Sequence, residues 1–132
     1  MRYRLRTLLI SFAIGLLLTV SAAAQNETDP TGTWTWQFPN QSAQWTLKLA
    51  LKTDKLTGSI KHSRNAPEQP IEDATFRDGV VVFKRRYKTR DGEDAVATFS
   101  GTISNNTITG TAMFDRPGSV QPVKWEATRE QK

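Results

Sequence analysis

One histidine, no cysteine and a few adjacent carboxylates are the residues from which this chain could build a reactive centre. His62 cannot assemble a histidine-rich metal site by itself, and a Ser-His-Asp set would rest on it entirely. The lack of cysteine removes thiol nucleophiles, thiolate ligands and disulfides together. Glu72-Asp73 and Glu93-Asp94 are neighbours in sequence. On strands such neighbours point to opposite faces and lack the convergence of an acid/base pair. Asp91-Gly92-Glu93-Asp94 lacks the ligand spacing of a calcium loop. The sequence therefore argues for no catalytic residue, no metal and no cofactor. A cyclase- or isomerase-type enzyme working through His62 or Tyr87 ranks third of three readings.

Binding chemistry has more to work with. In Val81-Val82-Phe83-Lys84-Arg85-Arg86-Tyr87, alternate residues Val81, Phe83, Arg85 and Tyr87 share one face of a strand. That places a guanidinium and a phenol on an otherwise apolar surface. Trp36, Trp45 and His62 fall on the matching face of their own segments. The expected ligand-binding set is Trp36, Trp45, His62, Arg85 and Tyr87. Arg85 would hold a carboxylate or other anion, with Tyr87 or His62 as hydrogen-bond partners. The alternative places the polar members at an open rim, where long side chains reach solvent.

The elements that must position these residues read as strands. The apolar period is two almost throughout, clearest in Trp45 to Lys52, where Trp45, Leu47, Leu49 and Leu51 share one face. Turn chemistry divides the rest at Thr53-Asp54-Lys55, Asn65 to Pro70, Asp78-Gly79, Arg90 to Glu93, Asn105-Asn106 and Arg116 to Ser119. Eight strands result: Gly32–Phe38, Trp45–Lys52, Leu56–Arg64, Ile71–Arg77, Val80–Thr89, Asp94–Ser104, Thr107–Asp115 and Val120–Arg129. The expected fold class is all-β, an eight-stranded antiparallel up-and-down barrel whose closure hides the two edge strands. A flattened two-sheet sandwich is the alternative. The pattern apolar-hydroxyl-Gly-hydroxyl-apolar recurs at Leu56–Ile60, Phe99–Ile103 and Ile108–Ala112. Its inward glycines would let strands bend and leave room for rings. Small residues on strands six and seven, together with large aromatics near one end, suggest a partly open cavity.

The first 24 residues read as an export signal: a head bearing Arg2, Arg4 and Arg6, an uncharged run Leu8–Val20, then Ser21-Ala22-Ala23-Ala24. Cleavage is expected after Ala24, giving a secreted or periplasmic protein with no stable membrane insertion afterwards. Residues 25–30 would be a flexible lead-in, 31–129 the barrel and 130–132 a tail. The whole chain has 18 Lys+Arg against 13 Asp+Glu, but losing the three head arginines leaves 15 against 13. So small an excess argues against a nucleic-acid partner. The cluster Lys84-Arg85-Arg86, with Lys88 and Arg90, would be split between both faces of its strand.

Gly32-Thr33-Trp34 near the start and Arg129 near the end resemble the calycin group of small β-barrels, which includes lipocalins, fatty-acid-binding proteins, avidins and bacterial metalloprotease inhibitors. The resemblance covers residues 31–129 and is nearest to small secreted bacterial barrels. It implies structural closure of one barrel end by Trp34 packed against Arg129. Leu56-Thr57-Gly58-Ser59-Ile60 is similar to the third strand of avidins, but Trp36 stands where avidins carry a polar biotin-binding residue. The disulfide of the protease inhibitors and the C-terminal helix of typical lipocalins are missing. The leading expectation is a secreted, non-catalytic lipocalin-like barrel binding a small, partly apolar or anionic ligand. The runner-up is a protein-binding module, inhibitor-like or accessory, with a protein partner.

Overall fold

The computed structural model describes residues 29–63, 66–115 and 122–131. The signal segment 1–24, most of the lead-in, and the expected strand ends at Arg64 and Val120 lie outside the described residues. Nine strands form: β1 (Gly32–Trp36), β2 (Trp45–Lys52), β3 (Lys55–His62), β4 (Gln69–Pro70), β5 (Glu72–Arg77), β6 (Val80–Lys88), β7 (Asp94–Ser104), β8 (Thr107–Asp115) and β9 (Val123–Arg129). They make one sheet in the order β4-β3-β2-β1-β9-β8-β7-β6-β5. All pairings are antiparallel. β1 meets β9, so the first and last strands adjoin, and only Ile71 separates the two terminal strands of the sheet. The Ile71 N–H donates to Gly58 O at 3.1 Å. The result is an up-and-down barrel, closed except for a seam between β3 and β5.

Nine strands replace the expected eight because the segment read as Ile71–Arg77 starts at Gln69 and breaks in two. Its first part pairs with β3 and its second with β6. The register shifts between Glu72 and Thr75, and Asp73 has φ +49°. An extra residue in left-handed conformation is how a bulge bends a strand and turns side chains. The bend also changes the carboxylates. Glu72 and Asp73 do not face opposite ways but both reach exposed cations on the outside of β6, Arg86 at 2.7 Å and Lys84 at 3.8 Å. The Asp78-Gly79 turn has positive φ at both residues, +51° and +79°, the geometry that matches strand twist in a two-residue hairpin.

Strand alternation sorts the side chains. Trp34, Leu47, Ile60, Val81, Phe83, Phe99, Ile108 and Trp125 are almost wholly buried inside. Room left by small residues does not stay empty. Gly101 and Gly110 face each other across β7 and β8, Trp125 is paired with Gly110, and the Trp125 ring lies over Gly101. Phe83 and Phe99, cross-strand partners, stack at 4.8 Å with planes 5° apart. Trp125 meets both edge-on, at 5.8 and 5.2 Å. The middle of the barrel is therefore solid, and the small-residue strands accommodate indole instead of a cavity.

Outside, exposed ion pairs tie neighbouring strands. Lys88 holds Asp94 at 2.8 Å, and Glu68 accepts from the Ser59 hydroxyl with Lys48 3.6 Å away. The Asp94 carboxyl is held below its usual range by the hydrogen bond and charge of Lys88, and the Glu68 carboxyl by Ser59 and then Lys48. A depressed carboxyl contributes stability that is present above its unfolded value of about 4 and lost as pH falls through the lowered folded value. Both groups are exposed, so that contribution is small. In a carbon-detected NMR titration, both carboxyls are expected to protonate below ordinary Asp and Glu. Lys88→Ala should return Asp94 to the ordinary range, and an unchanged Asp94 would refute the assignment.

Candidate functional site

Antiparallel pairing sends the two ends of the barrel different residues. The end of β1, start of β2, end of β3, end of β6, end of β8 and start of β9 meet at one mouth. Trp36, Trp45 and His62 sit in one cross-strand row there, because Trp36 is opposite Trp45 and Trp45 opposite His62. Trp36 and Trp45 stack at 6.1 Å with planes 9° apart, and His62 meets the Trp45 ring edge-on at 4.5 Å. Arg85 comes from β6 on the other side of the seam. Its guanidinium carbon lies 4.5 Å from the Trp45 ring centre and 5.6 Å from that of Tyr87. The five residues expected to form a site are thus one continuous array.

The array borders a pocket of about 340 Å³ lined by Phe38, Pro39, Gln41, Trp45, Tyr87, Phe114 and Val123. Its shape follows from β6 and β7. Arg85 is opposite Ala97, and Tyr87 opposite Ala95, so long side chains on one strand lie beside methyl groups on the next. Phe114, opposite Ala97 on the far side, meets Tyr87 at 6.2 Å and Phe38 at 6.0 Å. The pocket floor is the solid aromatic layer, since Trp36 meets Trp125 edge-on at 5.5 Å and Phe38 meets Phe99 at 6.5 Å.

The polar groups of this array are donors without acceptors in the protein. Trp36 Nε1, Trp45 Nε1 and Tyr87 Oη are buried and have no hydrogen-bond partner among the described residues. Burying such a group without an acceptor costs about 1–3 kcal/mol. Burial lowers the pKa of the Arg85 guanidinium, with the Tyr87 phenol opposing the shift. An arginine remains charged at neutral pH even so. The outward residues of the same strand contrast with it, since Lys84, Arg86 and Lys88 each have a carboxylate within 4 Å.

At the opposite end the geometry is that of a closure. Arg129 lies 4.4 Å over the Trp34 ring and donates to Thr31 O at 2.6 Å and to Asp29 O at 2.8 Å. Trp34 Nε1 donates to Pro30 O at 2.9 Å. Among the described residues no group of three or more His, Asp or Glu side chains is placed to hold a metal ion.

The array extends beyond the residues singled out from sequence. Phe38 and Phe114 carried an alternation signal for the inner face but none for the mouth. Pro39 and Gln41 lie in the connection between β1 and β2, where no periodicity exists to read. No protein-family model, curated protein or solved structure matches the chain.

Proposed function

We propose that this protein is an exported, non-catalytic, calycin-like barrel that binds a small, partly apolar ligand in the pocket at its open mouth. One observation carries the reading. One end is latched by Trp34 and Arg129 and the middle is packed solid, whereas the other end keeps about 340 Å³ between aromatic walls. Pockets of this size, mostly apolar with a few directed polar groups, are where small ligands bind. At about 30 Å³ per displaced water, it holds a molecule displacing roughly eleven waters. That is the bulk of a medium-chain or single-ring compound.

The groups around the mouth favour holding over reacting. The sequence-adjacent carboxylates Glu72 and Asp73 are tied to cations on the outer face, away from the lumen. His62 packs against Trp45, beside a cation and not within a nucleophile-base-acid chain. Native mass spectrometry of the protein purified from its own host tests the proposal. A small molecule of fixed mass retained by the folded protein and released on unfolding is the expected result. Stoichiometric capture of a second polypeptide with an empty pocket would favour the protein-binding alternative instead.

A further inference from the structure

We infer that the ligand is a small monocarboxylic acid with an apolar body, its carboxylate received by Arg85 and the buried donors around it. The inference rests on the pocket reading above and adds the chemical class of the occupant. Arg85 is held by ring faces. With its guanidinium carbon over Trp45 and over Tyr87, cation–π contact uses the faces of the planar group and leaves its N–H edge unspent. Among the described residues no carboxylate, carbonyl or hydroxyl accepts from that edge, whereas the other inward arginine, Arg129, donates to backbone carbonyls. The difference lies in what surrounds each cation. One is tied into the fold, and the other is oriented but uncommitted.

The neighbouring groups ask for the same partner. Trp36 Nε1 and Trp45 Nε1 can only donate, and the Tyr87 hydroxyl has no acceptor in the chain. A cluster made of one fixed cation and three acceptorless N–H and O–H groups is complementary to an oxyanion. Two features select a carboxylate. A rigid planar fork matches two coplanar oxygens, and a single inward guanidinium balances one negative charge, not two. The rest of the ligand meets Phe38, Phe114 and Val123, which offer ring and methyl surface.

Isothermal titration calorimetry on the purified protein at neutral pH tests this with matched pairs: octanoate against octanamide, and 3-phenylpropanoate against 3-phenylpropanamide. Each pair keeps the apolar body and removes the charge. The acids are expected to bind at least about tenfold tighter than the amides, the range of one or two charge-assisted hydrogen bonds. In R85Q the acid-to-amide ratio should fall to about one. Acid and amide binding equally well to the unaltered protein would overturn the anion inference and leave the pocket standing. Failure of all four compounds to bind would overturn both. Octyl phosphate or octanesulfonate binding more tightly than octanoate would overturn the carboxylate assignment. Because the deciding comparison uses the unaltered protein, it does not depend on R85Q folding.

Discussion

Trp125→Ala is expected to destabilise the barrel by about 3–5 kcal/mol, the range for truncating a buried Trp or Phe. The side chain is 1% exposed and joins three layers: Trp36 above, Phe99 and Phe83 beside it, and the glycine pair Gly101–Gly110 against its face. Its removal leaves a void bounded by rigid strands, and rings stacked as tightly as Phe83 and Phe99 cannot spread to fill it. The reciprocal change is destabilising for the opposite reason. A methyl group on Gly101 would stand 2.9 Å from Trp125 Cζ3 and 2.5 Å from Ile108 Cγ2, so Gly101→Ala overpacks the same site at a cost of about 1–3 kcal/mol. If indole and glycine are one fitted unit, the two effects are not additive. Gly101→Ala should cost at least about 0.5 kcal/mol less in a Trp125→Leu background than in the unaltered protein. Urea denaturation of the four chains measures this, and strict additivity would show that Trp125 and Gly101 do not constrain each other.

This fitted pair also shows where sequence reading reaches its limit. Alternation alone assigns Trp125, Gly101, Phe83 and Phe99 to the inner face, because period two is a local property of a strand. It also separates Arg85 and Tyr87 from Lys84, Arg86 and Lys88, since adjacent residues must part. What alternation lacks is the height of a residue along the barrel axis and the distance across the lumen. Both depend on register and stagger summed over many strands. So the small inner residues of β7 and β8 suggested a cavity, while the register places Trp125 over them. The same long-range register brings Arg85 from β6 to Trp45 on β2, a contact no local pattern encodes. The bulge at Asp73 was equally hidden, because Ile71 to Arg77 reads as an unbroken strand until β3 and β6 compete for its backbone.

Arg129→Ala is expected to cost about 2–4 kcal/mol while leaving recognition at the other mouth intact. Two charge-assisted hydrogen bonds are lost, to Thr31 O and Asp29 O, each worth up to about 1.5–3 kcal/mol before allowance for partial solvation. Loss of the contact with the Trp34 ring adds about 1 kcal/mol. Arg129→Lys should recover less than half of this, because a single ammonium cannot cover the indole and reach carbonyls two residues apart. The damage has a defined place. Thr31 Oγ1 accepts from the Leu51 N–H at 3.0 Å, so freeing residues 29–31 should speed hydrogen exchange at Leu51. Amides of β6 and β7, held by their own ladder, should slow or quicken only with global stability. The preference for octanoate over octanamide should match that of the unaltered protein at temperatures where the variant is folded, since the solid layer of Trp125, Phe83 and Phe99 separates the two ends. A variant as stable as the original would mean that the latch is decorative. A variant that kept its stability loss but also lost the acid preference would mean that the ends communicate through the aromatic layer, and the division into a closed end and a receptive one would fail.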